Sequence, residues 1–285
     1  MQIESFYHQD TQTFCHLVYD ESSLDCAMID PVMDYKPNSG VASYEFSDDI
    51  IARAKSLGLK LKYILETHVH ADHLTAAQYI KSELGGEVVI GAYVGKVQHH
   101  FDQVFDLNSE QEALFDYLIK PDEALSVGDI SIKAISTPGH TPACMSYIVT
   151  CNDDLTKHVF VGDTLFMPDV GTARCDFPGG DAHALYQSIQ SILSLGDHTQ
   201  LHMCHDYPPE GRSVRSVVSV KEQKEKNIHC ADGISETKFI EMRQARDANL
   251  AAPRLILPSL QVNIRAGVLP QADTQGRRFL KIPLR

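Results

Sequence analysis

The chain has 285 residues, 43% of them hydrophobic and 22% charged, no tryptophan, and a formal net charge of −13. That length can bury a large core, while the acidic balance argues against a nucleic-acid surface and against docking on anionic membranes. The longest apolar runs fall far short of the roughly 20 residues that a membrane-spanning helix needs.

Met1-Gln2-Ile3-Glu4-Ser5 has neither the basic start nor the apolar core of a signal peptide. Seven cysteines, odd in number and without a CxxC pair, suit a reduced cytoplasmic chain better than a disulfide framework. A small anionic substrate stays compatible with the overall charge if arginines concentrate at its site.

In chain order, the apolar stretches 14–19 and 26–29 flank a polar turn and read as a hairpin closed by Asp30-Pro31. Ser47 reads as the N-cap of a helix carrying Ile50, Ile51, Ala54 and Leu57, with Gly58 ending it. A strand at 61–65 runs into Thr67-His68-Val69-His70-Ala71-Asp72-His73. Imidazoles and a carboxylate clustered at a strand end signal a metal site. Residues 74–84 read as a helix stopped by Gly85-Gly86, and 87–90 as a strand. Segment 97–120 reads as one or two short helices, with His99-His100 on a solvated face.

Strands are expected at 130–135, 145–149 and 158–161, with a polar turn at 152–157. Asp181 caps an amphipathic helix bearing Leu185, Ile189, Ile192 and Leu193, and a short strand at 201–203 follows. Residues 213–227 and 234–248 read as helices, and the proline-bearing tail 253–285 as an extended wrap ending in a strand at 279–282. Strands alternating with helices indicate layers of helix on sheet. The organisation expected is a main unit over 1–230, with 231–285 packing on it as a helix and tail rather than an independent domain.

His68, His140, Asp163 and His205 each follow a separate strand, and loops at strand ends line the crevice of layered α/β folds. Each alone has an ordinary explanation as a surface or turn residue. Their joint occurrence, as HxHxDH, TPGHTP, GDTLF and CHDY in that order, points to one metal centre.

In pattern and order these motifs resemble the metallo-β-lactamase superfamily, which implies an αββα sandwich with an extended C-terminal tail here. By that resemblance His68, His70 and His140 match the ligands of a first metal, and Asp72, His73 and His205 those of a second. Asp163 matches the carboxylate between them. Since every one of these residues is present, the inventory does not separate one metal from two.

The resemblance leaves two branches. One is the bacterial persulfide dioxygenases, where a single Fe(II) held by His68, His140 and Asp163 would oxidise glutathione persulfide with O₂ to sulfite and glutathione. A three-ligand facial site leaves coordination positions for substrate and O₂, work that redox-inert zinc cannot do. The other is the glyoxalase II-like binuclear hydrolases of glutathione thioesters, with two Zn or mixed Zn/Fe.

Gly171-Thr172-Ala173-Arg174-Cys175-Asp176-Phe177 and His205-Asp206-Tyr207 resemble segments of the dioxygenase branch. They imply substrate contacts for Arg174, a fixed donor fork, and Tyr207, a phenolic donor. On this reading His70, Asp72, His73 and His205 support the ligands by hydrogen bonding or serve as alternative ligands, with His70 standing between the two roles. Asn263 and Arg265 are candidates for a glutathione carboxylate, packing being the competing role. Thr172 stands where some relatives carry a cysteine, and Cys175 is expected to be structural. A homo-oligomer is compatible with the sequence.

Overall fold

The structure is a computed structural model that describes residues 1–107, 114–152 and 154–284. The chain opens with strands β1 (Gln2–His8), β2 (Thr13–Tyr19), β3 (Asp25–Ile29), β4 (Val32–Lys36) and β5 (Val41–Ser43), then helix α1 (Glu45–Ser56). Next come β6 (Lys60–Leu65), β7 (Leu74–Thr75), α2 (Ala77–Leu84), β8 (Glu87–Gly91), α3 (Val94–Phe105) and β9 (Tyr117–Ile119). The second half holds β10 (Ala124–Val127), β11 (Ile130–Ser136), β12 (Met145–Cys151), β13 (Asp154–Phe160) and α4 (Ala182–Leu193). It closes with β14 (Gln200–His202), β15 (Val217–Ser219), α5 (Val220–Lys226), α6 (Glu236–Asp247) and α7 (Ile256–Asn263).

Two six-stranded sheets, in the orders β1-β2-β3-β6-β8-β9 and β10-β11-β12-β13-β14-β15, make the middle of the molecule. Their facing sides bury Val18, Ile29, Leu65 and Val89 of the first sheet against Ile132, Tyr147 and Phe160 of the second. The outer face of the first sheet packs Leu17, Met28 and Ile64 against α1, α2 and α3, joined by Leu260 and Val262 of α7. The second sheet packs Val159 and Leu201 against Leu185 and Ile189 of α4 and Phe239 of α6. Four layers result, an αββα sandwich. Strands buried on both faces carry nearly continuous apolar runs, which is why the central ones stand out in the sequence.

Several local expectations are corrected. Ser47 lies inside α1, its hydroxyl bonded to Val32 O at 2.8 Å, while Asp34 Oδ2 accepts from Phe46 N at 3.0 Å at the helix start. Leu74 and Thr75 form β7, paired with β4, and the helix begins only at Ala77. Residues 94–105 form one helix, α3, and 108–113 of the expected helical segment lie outside the described residues. Strand β13 starts at Asp154, so 154–157 are not turn; 217–219 are strand and the helix of that region is 220–226. The tail contains the helix α7, and 279–282 is not a strand: Lys281 pairs through N–H and C=O with the Gln261 side-chain amide, both at 2.8 Å.

Candidate metal centre

The loop after β6 carries His68, His70, Asp72 and His73, and it is shaped by a buried carboxylate from the neighbouring strand. Asp30, at the end of β3, accepts from Thr67 N at 2.8 Å, from Thr67 Oγ1 at 2.9 Å and from His70 Nε2 at 2.9 Å. Burial opposes its charge, yet the His70 imidazole holds the Asp30 carboxyl below the usual carboxylate range. Burial likewise works against charging His70, but Asp30 raises its pKa well above the ordinary histidine value. Glu66, whose pKa is raised chiefly by burial, sits 3.3 Å from His70 Nε2 and accepts from the Thr75 hydroxyl. Neither Asp30 nor Glu66 was singled out from the sequence. Asp30-Pro31 reads there as a turn, and only the position of Asp30 between two strand ends could have marked it.

His140 follows β11 on the turn Pro138-Gly139, and its Nδ1 donates to Arg174 O at 2.7 Å. His205 follows β14, and its Nδ1 lies 3.2 Å from both Gln12 O and Thr13 Oγ1. His68 Nδ1 lies 3.1 Å from Thr67 Oγ1. In each of these rings, and in His70, one nitrogen is tied to protein, which orients the ring and turns the other nitrogen inward.

Among the described residues, His68 Nε2, His70 Nδ1, Asp72 Oδ2, His73 Nε2, Asp163 Oδ1 and His205 Nε2 are buried without a hydrogen-bond partner, His205 Nε2 lying 3.2 Å from Asp72 Oδ2. Orphaned buried polar atoms are rare and costly. A converging set of imidazole nitrogens and carboxylate oxygens is the donor chemistry of zinc, iron or manganese. The residues present therefore fit a metal centre.

Among the described residues the donors include two groups with ligand atoms within 4.8 Å of one another, His68, His140 and Asp163, and His70, Asp72, His73 and His205; Asp163 also groups with Cys204 and His205, and His70 with Asp30 and Glu66. Asp163 spans them, with Oδ2 3.9 Å from His68 Nε2 and 3.7 Å from His140 Nε2, and Oδ1 3.3 Å from His205 Nε2. His70 sits with the second group, although its ring centroid lies 4.0 Å from that of His68. His70, Asp72, His73 and His205, expected as hydrogen-bonding supports or alternative ligands, each contribute an atom without a hydrogen-bond partner among the described residues. Burial lowers the pKa of His68 well below its ordinary value and that of His73 to about 4, so both are neutral and ligand-ready near neutrality. The arrangement matches a two-metal centre.

A cleft of about 270 Å³ opens onto Asp72, His140 and Asp163 and is walled by Phe166, Arg174, Phe177, Tyr207 and Arg246. Tyr207 stacks on His205, and burial pushes its phenol well above the usual tyrosine pKa, so it remains a proton donor. Arg174 borders the cleft, but its guanidinium is engaged by Asp176 at 2.6 and 2.7 Å and by Ala251 O at 2.6 Å. Cys175 is buried, its thiol pushed up to about 12, which suits a structural role.

Asn263 and Arg265 are not in the cleft wall. The Asn263 amide bonds His70 O, His73 O and Thr75 N, in keeping with the packing role weighed against a substrate contact. A larger groove of about 480 Å³, between β4–β5 and the tail, contains none of the clustered metal donors. No helix among the described residues is long and apolar enough to cross a membrane.

Comparison with known proteins agrees with this geometry. Residues 8–205 match the metallo-beta-lactamase superfamily. The chain is 48% identical to a "probable metallo-hydrolase" of Burkholderia pseudomallei, over 100% of this chain and 99% of that one. It is 43% identical to "glyoxylase B2" of Dictyostelium discoideum, over 99% and 97%. Similarity to the human mitochondrial persulfide dioxygenase is lower, 28% over 90% of this chain and 85% of that one. The crystal structure of ETHE1 from Myxococcus xanthus superposes with a TM-score of 0.73 at 28% identity, covering 94% of this chain and all of that one.

Proposed function

Because the chain belongs to the metallo-β-lactamase superfamily, we propose that it is a metal-dependent hydrolase cleaving a thioester of glutathione at a two-metal centre. The observation that carries this reading is the double donor set divided by Asp163, whose two oxygens face different histidine groups. The relatives at 48% and 43% identity, a metallo-hydrolase and a glyoxylase by name, support it as well.

His68, His70 and His140 would hold one ion, Asp72, His73 and His205 the other, and Asp163 would stand between. When bound, divalent ions supply Lewis acidity at a carbonyl and a water acidic enough to attack near neutral pH. The chain's own part is positioning. Arg174 O fixes the His140 ring, Asp30 fixes His70, and Gln12 O with Thr13 fixes His205. The protonated Tyr207 offers a phenolic donor beside Asp72 and Asp163, where a carbonyl oxygen gaining charge would need one. Phe166 and Phe177 give the cleft apolar walls that keep bulk water from the reacting bond.

A second reading keeps a single Fe(II) on His68, His140 and Asp163 and oxidises glutathione persulfide with O₂. It is favoured by Tyr207 and the Arg174 segment bordering the same cleft as the metal residues, and by 28% identity to a persulfide dioxygenase.

Anaerobic purification with metal analysis separates the two, assayed in parallel with S-lactoylglutathione and, on an oxygen electrode, with glutathione persulfide. Two ions per chain with thioester hydrolysis and no O₂ uptake is the expected result. One iron per chain, with O₂ uptake dependent on the persulfide, overturns the hydrolase in favour of the dioxygenase.

A further inference from the structure

We infer that the buried ion pair Arg243–Asp247 of helix α6 is a positioning device for His140: it clamps the main chain on both sides of Arg174 and so aims the Arg174 carbonyl at the His140 ring. The inference rests on the metal-centre reading but on neither metal count, because His140 is a candidate ligand in both. Helix α6 lies outside the segment 8–205 that matches the superfamily.

Arg243 is 1% exposed and Asp247 5%. Arg243 Nε and Nη2 donate to Asp247 Oδ1 at 2.9 and 2.5 Å, and Nη1 donates to Thr172 O at 3.0 Å. Asp247 keeps its second oxygen for the same segment, Oδ2 accepting from Cys175 N at 2.9 Å. Between the two gripped positions stand Ala173 and Arg174, and Arg174 O accepts from His140 Nδ1 at 2.7 Å.

A buried ion pair is weak evidence for a stabilising role, since an apolar pair of similar volume often serves stability as well or better. An apolar pair cannot donate to one main-chain group and accept from another. The planar guanidinium fork serves Asp247 and Thr172 O at once, which a lysine ammonium does not match.

The surroundings refer both ends of the His140 contact to two packed helices. The turn that carries His140 is tied to the cap of α4 through Asp181 N and Gly139 O, at 2.9 Å. Phe239 of α6 packs against Leu185 and Ile189 of α4. Upstream, Asn227 Nδ2 donates to Gly171 O at 3.1 Å and Thr172 N to His229 Nδ1 at 3.0 Å. Those bonds anchor the start of the segment and leave its downstream side to Asp247. Phe166 N donates to Gly171 O at 3.0 Å, joining the same segment to the loop that follows Asp163.

The test reads proton exchange at the His140 ring together with metal affinity. Wild type, Arg243→Lys, the double variant Arg243→Met with Asp247→Asn, and the control Phe239→Leu are prepared with isotope-labelled histidine and loaded with Zn²⁺. Lysine keeps a charge for Asp247 but gives up the fork. The double variant removes both charges together, so that no unpaired charge is left buried. Its asparagine keeps an acceptor for Cys175 N, while its methionine offers nothing to Thr172 O. The His140 Nδ1–H resonance is identified by its loss in His140→Gln, and its solvent exchange is followed by NMR. Zn²⁺ affinity is read by chelator competition, with thermal melting alongside.

Both α6 variants should exchange the His140 proton severalfold faster. Their Zn²⁺ affinity should fall about 10-fold in at least one binding step, the lower end of the range for supports of metal ligands. The His205 ring, held at Gln12 O and Thr13, should keep its wild-type exchange. Phe239→Leu should melt lower with both readouts unchanged. Either readout at its wild-type value in a folded α6 variant overturns the inference. A parallel rise at His205, or a matching change in Phe239→Leu, means general loosening and overturns it too. If neither α6 variant folds, the pair is a general structural support and the inference fails. A wild type that takes up no metal overturns the metal-centre reading first, and the inference with it. Metal in wild type with unaffected variants overturns the inference alone.

Discussion

His140 Nδ1 donates to the backbone carbonyl of Arg174 at 2.7 Å, so the segment that borders the cleft also orients a candidate metal ligand. The bond uses the main chain, leaving the Arg174 side chain to other work. That side chain is a fork closed on Asp176, with Ala251 O as a third acceptor. Arginine here organises the cleft wall, and only a residual donor face is left for a substrate.

The consequence is a thermodynamic cycle. Arg174→Ala and Asp176→Ala should each raise KM severalfold with metal content near normal, and the double variant should be no worse than the poorer single. For a partly exposed pair the coupling should come to about 0.5–1 kcal/mol. Steady-state kinetics with metal analysis checks it. Strictly additive losses would mean that Arg174 contacts the substrate on its own account.

Asp30 carries the opposite expectation, a large effect on metal with little on the cleft. Its carboxylate collects Thr67 N, the Thr67 hydroxyl and His70 Nε2, and so orients the His70 ring, whose Nδ1 has no hydrogen-bond partner among the described residues. Asn at this position is nearly isosteric but turns an N–H₂ group on one of those donors. Asp30→Asn should weaken binding of one metal by about 10–100-fold, read by chelator competition. Unchanged affinity would show that His70 needs no such restraint.

How much of this was readable beforehand depends on where each element finds its hydrogen bonds. Strands β2, β3, β6, β11 and β12 are apolar runs bounded by turns, and they appear in the sequence close to their true limits. His68 and His140 stood out as candidates because they follow two of these strands, β6 and β11. Helix α7 was hidden by Pro258, which suggests an extended tail. Pro258 occupies the first turn of α7, where the missing N–H costs no intrahelical bond. The strand expected at 279–282 is mostly apolar, but its partner is the side chain of Gln261 rather than another strand. Asn263 was legible as a polar residue worth noting, yet its partners are main-chain groups that no side-chain pattern encodes.

Gly139 tests the close packing behind the His140 turn. Its φ is +142°, and a Cβ would overlap the N, Cα and Cβ of Leu185 at the start of α4. Asp181 N also donates to Gly139 O at 2.9 Å, fixing the turn to the cap of that helix. Gly139→Ala should cost about 2–4 kcal/mol through backbone strain and overpacking, measured by denaturant unfolding, and should displace His140. A loss under 1 kcal/mol would show that α4 yields to the added methyl.

His16 gives the molecule a pH dependence away from the metal. It is buried in β2, with Nε2 donating to Met203 O at 3.0 Å and Nδ1 accepting from Ser5 Oγ at 2.9 Å. Both nitrogens are thus used by the neutral ring. The His202 ring lies 5.7 Å away and is itself held neutral by burial. Burial lowers the His16 pKa to about 4, with the Met203 carbonyl opposing in part. Between pH 6.5 and 4 the unfolded chain takes up a proton at this residue that the folded chain refuses, so stability falls as pH falls. A shift of that size corresponds to about 3 kcal/mol across the window. His16→Gln removes this contribution. Its unfolding free energy, compared with wild type in denaturant titrations at pH 7 and pH 4.5, should decline less on acidification. Comparing the two proteins cancels the metal's own loss at low pH. Parallel declines would mean that His16 is already protonated in the folded chain or that its protonation is accommodated.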